Sequence, residues 1–261
     1  MTGSKPPWAV VKPPPSSFFR AISSHPKGGF IDPARALRQH HEYQETLGSI
    51  VERLVVMEPN ELHPDSCFTQ DTAVVLQSAA LLARSGIGVR KAELPAVKKV
   101  LQQGLVNEIH EVPPPGSLEG GDVLRVGKTL VVGRSRRTSS LGIEALTGFA
   151  EPLGYRVVPV DVPSGLLHLS TAVTVLNDEL VIGLPEVLRN SAFAGLEQIP
   201  VTDGPLEACN VLAVGRHVIA SGSYEVHDVL ERKGFIVHGL DLGEFVKADA
   251  GPTCLALLPL A

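Results

Sequence analysis

The sequence predicts an α/β protein assembled from five ββαβ units. Similar apolar hairpin signatures occur at residues 73–83, 123–133, 172–183 and 211–221. Their starts lie about 40 to 50 residues apart, the period of a supersecondary repeat. Each is followed by a helix-like pattern and then a short β-rich run. Within each signature a polar or Gly-containing break separates two apolar runs. Gly127-Lys128, Asn177-Asp178 and Gly215-Arg216 fill three of these breaks, with residues that accept the positive φ of tight turns. Two ordinary α/β domains would produce the same local periodicities, and the pattern alone does not choose between them.

Taken in chain order, residues 8–11 read as a strand. Asp32 is a helix cap with Pro33 at the first helical position, where a missing N–H costs nothing. Leu37, Tyr43, Leu47, Ile50 and Leu54 form the apolar face of that helix, and 54–57 continues as a strand. After the first hairpin, Val97, Val100 and Leu101 mark a helix and 106–112 a strand. The second is followed by a helix over 139–150, with Leu141, Ala145, Leu146 and Phe149 at helical spacing, then the breakers Pro152 and Gly154, and a strand over 155–160. Residues 185–196 and 198–201 fit the same scheme more loosely. In the fourth unit Ser223 is a candidate cap for a helix carrying Val226, Val229 and Leu230, Gly234 ends it, and 235–237 extends beyond. A final strand over 253–258 joins the N-terminal elements, so both ends of the chain supply the fifth unit. Such radial closure leaves few exposed sheet edges.

Composition narrows the function. The 261 residues carry 44% apolar and 20% charged side chains with a net charge of −5, ordinary for a globular protein with a large core. Charges are interspersed, so neither nucleic acid nor a membrane surface is an expected partner. No apolar run approaches the roughly 18 residues that span a bilayer. The first fifteen residues contain five prolines and no signal-peptide core. Cys67, Cys209 and Cys254 form neither a disulfide framework nor a zinc-finger pattern. A cytoplasmic, reduced protein is expected.

The polar residues of interest recur at the start of each hairpin. Asp65 and Asp71 precede the first, Glu119 and Asp122 the second, His168 the third and Asn210 the fourth, while Cys254 lies at the final strand. If the units surround an axis, these positions converge. Singly, each has a plainer account: a Cys beside Leu255 is commonly core, His168 sits between leucines, and Gly120-Gly121 makes a turn. Jointly, Cys, His and a carboxylate are the parts of an activated thiolate site.

Five motifs then carry a family resemblance: His63-Pro64-Asp65-Ser66-Cys67-Phe68-Thr69-Gln70-Asp71, Leu118-Glu119-Gly120-Gly121-Asp122-Val123-Leu124, Gly133-Arg134-Ser135-Arg136-Arg137-Thr138, Leu167-His168-Leu169-Ser170 and Asp249-Ala250-Gly251-Pro252-Thr253-Cys254. In this order and spacing they resemble the dimethylarginine dimethylaminohydrolases of the guanidine-modifying (pentein) superfamily, from about residue 10 to 259. The resemblance implies a five-bladed β/α propeller in one catalytic domain over residues 1–261. It implies Cys254 as nucleophile, His168 as general acid/base and Glu119 as the carboxylate beside it. Asp71 would pair with the substrate guanidinium, Asp65 would be another acidic residue of the pocket, and Gln70 stands beside Asp71. Arg90 and Arg137 would hold the α-carboxylate, and the backbone of Ala248 and Asp249 the α-amino group. Residues 18–24 fall where the family has a mobile lid.

The implied reaction is hydrolysis of methylated arginine to citrulline and an alkylamine, through a covalent thiouronium on cysteine. No metal or organic cofactor is needed. A small-molecule substrate and a second copy of the chain, in a homodimer, are the implied partners. Two positions depart from the family pattern: Gln70 stands where glutamate is usual, and Ser170 where lysine is common. The His-x-Asp of arginine and agmatine deiminases is absent, because Ser170 follows His168-Leu169. Three rivals stay open: a deiminase releasing ammonia from arginine or agmatine, a non-catalytic binder of cationic amino acids, and a protein in which zinc meets Cys254 and His168.

Overall fold

A computed structural model describes residues 6–222 and 224–260. Strand β1 (Ala9–Val11), helix α1 (Pro33–Ile50) and strand β2 (Leu54–Val56) open the chain. The first full unit is β3 (Ala73–Leu76), β4 (Ala79–Leu82), α2 (Leu94–Leu101) and β5 (Glu108–Glu111). The second is β6 (Val123–Val126), β7 (Thr129–Arg134), α3 (Ser140–Ala150) and β8 (Arg156–Asp161). The third is β9 (Val173–Val175), β10 (Leu180–Gly183), α4 (Pro185–Leu188) and β11 (Glu197–Pro200). The fourth is β12 (Val211–Val214), β13 (His217–Ser221), α5 (Glu225–Arg232) and β14 (Ile236–Leu240). A short helix, α6 (Gly243–Val246), leads to the last strand, β15 (Ala256–Leu257).

These strands form five three-stranded sheets, and in the fifth β1 lies between β15 and β2. In every sheet the inner two strands pair antiparallel and the third is parallel to its neighbour. A helix spans the connection to the third strand, because a parallel neighbour needs a crossover.

The core explains why the inner strands read as continuous apolar runs. On β3, Val74 and Leu76 pack with Val123, Leu130 and Val132 of the next sheet. Ala73 and Val75 point the other way, toward Val10 and Leu257 of the closing sheet. Successive side chains of a strand face opposite sides, so each sheet is covered on both faces. Three further clusters fill the remaining interfaces between adjacent sheets. The result is a five-bladed β/α propeller closed by the two ends of the chain.

Each blade has a 3-10 turn just ahead of its inner strand: Thr69–Thr72, Gly120–Asp122, Leu169–Thr171, Leu206–Cys209 and Pro252–Leu255. These turns gather the recurrent polar residues at one end of the axis.

Several expectations are corrected. Cys254 does not lie in a strand over 253–258: Pro252–Leu255 is a 3-10 turn, and only Ala256 and Leu257 pair with β1. Leu37 and Leu141 face solvent, 49% and 47% exposed. Ala36, Gln39 and His40 take the buried positions on α1 instead, and Gly142 and Ile143 do so on α3. The helix expected over 185–196 shrinks to the four residues of α4 and a 3-10 turn at Ser191–Phe193. Ser223, the expected cap of α5, lies outside the described residues. Asp32 caps α1 as expected, its side chain accepting from the N–H groups of Ala34 and Arg35. No described helix is long and apolar enough to cross a membrane.

Candidate active site

A small cleft at the turn-bearing end of the axis is lined by Asp65, Asp71, Arg90, Arg137, His168, Ala248, Asp249 and Cys254, with Ile22, Phe68, Leu167 and Ala250. Four of the five blades and the loop after α6 contribute. His168 precedes the turn of the third blade. Its Nε2 lies 2.6 Å from Oε2 of Glu119, which is fully buried behind it. Asp71 ends 3.9 Å from the same imidazole nitrogen and accepts the Gly121 N–H at 3.2 Å.

Two glycines make this convergence possible. A Cβ on Gly121 would stand 2.9 Å from Asp71 Oδ1 and from the His168 ring, and one on Gly120 would meet the Gln70 carbonyl at 2.1 Å. Tyr43 reaches from α1 to donate to the Pro252 carbonyl at 2.8 Å, fixing the turn that carries Cys254. The Cys254 Sγ accepts the Gly251 N–H at 3.5 Å.

Burial dominates the electrostatics, and the partners decide its direction. Burial alone would depress His168, but Asp71, Glu119 and Asp122 raise it from 6.5 to about 9. Glu119 would be pushed up by burial, yet its bond to His168 and the charges of His168, Arg90 and Arg137 hold it at about 2. The pair is therefore an imidazolium and a carboxylate at neutral pH. Burial and the Asp71 charge push the Cys254 thiol up to about 11, so Cys254 is a neutral thiol until a cation approaches. Asp65 is raised, mainly by burial.

Two of the expected site residues sit differently. The Gln70 side chain is not in the cleft: Gln70 lines a second cavity along the axis, because adjacent residues of its 3-10 turn point to opposite sides. Arg90 lines the cleft, but all three of its guanidinium nitrogens already donate within the protein. They reach Asp71 at 2.8 Å, Glu93 at 3.2 and 3.3 Å and the Phe68 carbonyl at 3.3 Å. Arg90 is thereby held against buried acids while it lines the cleft. Arg137 is less committed, with one contact to Glu119 at 3.4 Å.

The motif reasoning missed several supporting residues. Ser85 donates to Glu119 Oε1, and Glu93 pairs with Arg90. Asp122 accepts from Ser135, Thr138 and the Leu169 N–H. Nothing in their local sequence marks Ser85 or Glu93. Residues 22–24 border the cleft, with Ile22 in its lining. The Ile22 N–H donates to Asp65 at 3.0 Å, while Ser24 donates to Asp249 through its N–H at 2.5 Å and its hydroxyl at 2.9 Å. Asp249 itself adopts a left-handed backbone, φ 56°, which aims its carboxylate at that segment.

Asp71, Glu119 and His168 bring three ligand-type atoms within 4.8 Å of one another, and Cys254 is not among them. Arg90 and Arg137 already neutralise the two carboxylates, so a divalent cation there would face two guanidinium groups.

Comparison with known proteins places this geometry. The sequence model of the arginine deiminase family matches residues 36–207. The N(G),N(G)-dimethylarginine dimethylaminohydrolase of Streptomyces coelicolor is 34% identical over 252 residues, 95% of each chain. That of Pseudomonas aeruginosa is 26% identical, covering 95% of this chain and 97% of its own. Among solved structures, the Pseudomonas aeruginosa enzyme, as a cysteine-to-serine mutant complexed with citrulline, superposes with a TM-score of 0.90 at 24% identity over 98% of this chain and all of its own. A dimethylarginine dimethylaminohydrolase adduct with S-methyl-L-thiocitrulline gives 0.92 at 25% identity, covering 97% and 99%. With its five blades, its Cys-His-carboxylate cleft and a 34% identical relative along nearly its whole length, the chain belongs to the arginine deiminase family, beside the dimethylarginine dimethylaminohydrolases.

Proposed function

We propose that this protein hydrolyses N-ω-methylated arginine to citrulline and an alkylamine. The observation that carries the reading is one cleft lined by Cys254, His168 and the acids Asp65 and Asp71, with Glu119 buried behind the imidazole. A substrate guanidinium between Asp71 and Cys254 supplies the cation that favours the thiolate. Cys254 Sγ then attacks the guanidinium carbon, and the proton it releases passes to the solvent or the cleft acids. Imidazolium His168 donates its proton to the departing nitrogen as the C–N bond breaks, leaving a thiouronium on Cys254. Neutral His168 next takes a proton from water, whose oxygen attacks the same carbon; the C–S bond then breaks with its electron pair on sulfur, and the remaining hydroxyl proton passes to Cys254 as citrulline is released. Glu119 keeps the imidazole oriented and positive between turnovers. Arg137 receives the α-carboxylate through its planar fork, and the backbone at Ala248 and Asp249 the α-amino group. Arg90 holds Asp71 in place.

The absence of an aspartate after His168-Leu169 leaves one guanidinium edge without an ionic partner, which suits a methylated nitrogen. It supports this reading over release of ammonia from arginine or agmatine. The continuous run of core clusters around the axis supports one catalytic domain over residues 1–261. We infer a cytoplasmic protein, supported by three unpaired buried cysteines. A homodimer is proposed on the family resemblance and is tested by analytical ultracentrifugation.

The reaction is tested by product analysis of wild type and Cys254→Ser against dimethylarginine, monomethylarginine, arginine and agmatine. Citrulline with an alkylamine, reduced at least about a thousandfold in the variant, supports the proposal. Ammonia from the unmethylated substrates alone makes the protein a deiminase. Binding without turnover makes it a receptor for cationic amino acids.

A further inference from the structure

Behind the cleft a second cavity, of about 1000 Å³, follows the propeller axis. Its walls come from the inner strands of all five blades, including Val74, Val123, Val175, Val211 and Leu257. Asp178, Glu179 and Arg216, at the hairpin turns, line one end of it. Gln70, Gly120, Ser170 and Thr253 line the other.

Each of these last four is one or two residues from Asp71, Glu119, His168 or Cys254 and belongs to the 3-10 turn of its blade. One residue of the turn faces the cleft and a near neighbour faces the channel, so a single layer of turns separates the two spaces. Two polar atoms in this layer, Gln70 Oε1 and Ser170 Oγ, have no hydrogen-bond partner in the protein. Ser170 is only 2% exposed. Burying such groups without partners is costly, and they suit occupants that donate hydrogen bonds transiently.

The proposed reaction, on which this inference rests, requires one amine to leave and one water to arrive while the thiouronium is still attached to Cys254. At that moment the amino-acid half of the intermediate occupies the mouth of a small cleft, whose rim residues, 22–24, are tied to Asp65 and Asp249. We propose that the axial cavity is the passage for this exchange, and that its neck, at Gln70 and Ser170, is closed in this structure and opens as the layer of turns shifts. The occupants it fits are water and small aliphatic amines. Oε1 and Oγ accept their N–H or O–H groups, and the Val and Leu walls accommodate methyl groups. No bond is made or broken in the channel.

The test narrows the channel at two places, with Ser170→Leu at the neck and Ala213→Trp farther out on β12. Wild type is assayed first, and if it forms no product from any guanidine, the reaction itself is overturned and the channel's role with it. Given an active wild type, both variants are checked for folding by circular dichroism. Steady-state turnover is then compared with formation of the Cys254 adduct in a single turnover, trapped with acid and weighed by mass spectrometry. The expected result is a kcat lowered at least about tenfold, as when exchange limits turnover, with adduct formation within about twofold of wild type. Wild-type kcat in the folded variants, or a loss confined to adduct formation, overturns the proposal. If one variant does not fold, the other decides.

Discussion

Replacing Glu119 with glutamine tests the electrostatic core of the site. Glu119 and His168 are 0% and 3% exposed, their bond is 2.6 Å, and glutamine keeps the shape while removing the charge. His168 rises from 6.5 to about 9 in the fold, which favours the imidazolium by about 3 kcal/mol at about 1.4 kcal/mol per pH unit. A raised folded value means that this stabilisation is fully present below pH 6.5 and is lost as pH rises through about 9. Glu119 is lowered from 4.5 to about 2, so its own contribution is present above 4.5 and lost as pH falls through about 2. Both operate together between about pH 4.5 and 6.5. Urea unfolding of wild type and Glu119→Gln should therefore differ by up to about 3 kcal/mol at pH 6, since Asp71 and Asp122 still hold part of the imidazolium's stabilisation in the variant. The gap should narrow progressively between pH 6.5 and about 9 and be largely gone above that. In the variant the His168 proton should be lost nearer neutrality, visible in an NMR titration of the ring. An equal stability gap at pH 6 and pH 10, with His168 still titrating near 9, would refute the ion-pair account.

Other perturbations separate packing from chemistry. Gly121→Ala forces a methyl group against Asp71 and the His168 ring, and should cost about 1–3 kcal/mol in thermal unfolding together with a loss of turnover. Tyr43→Phe removes the bond to the Pro252 carbonyl and should cost about 1 kcal/mol. A lower kcat would accompany it, since the Cys254 turn loosens; unchanged kcat would show that the turn holds itself. Asp32→Ala removes the α1 cap and should lower stability by about 1 kcal/mol with kcat unaltered. Alkylation of Cys254 by iodoacetamide should be slow at neutral pH and accelerate toward pH 11, and a bound guanidinium compound that leaves the sulfur accessible should speed it at pH 7.

The repeat, the hairpins and the motif-bearing positions were legible in the sequence because they depend on local physics. Apolar runs broken by Gly127 or Gly215 can only turn back on themselves, and Asp32-Pro33 starts a helix wherever it sits. Cys254, His168, Glu119, Asp65, Asp71 and Arg137 were legible through motif order, and all but the fully buried Glu119 reach the one cleft. Tertiary packing decided what periodicity could not. Helical spacing admits either edge of an apolar face, and packing selects the edge that leaves Leu37 and Leu141 in solvent. Gln70 and Asp71 are adjacent in the chain yet serve different cavities, since a 3-10 turn sends successive side chains apart. Arg90 became the partner of Asp71 and Glu93 because three buried charges must be neutralised where they meet. Local sequence thus specifies elements and carries the reactive groups; the central acid–base pair depends on blade convergence, since Glu119 and His168 meet from 49 positions apart.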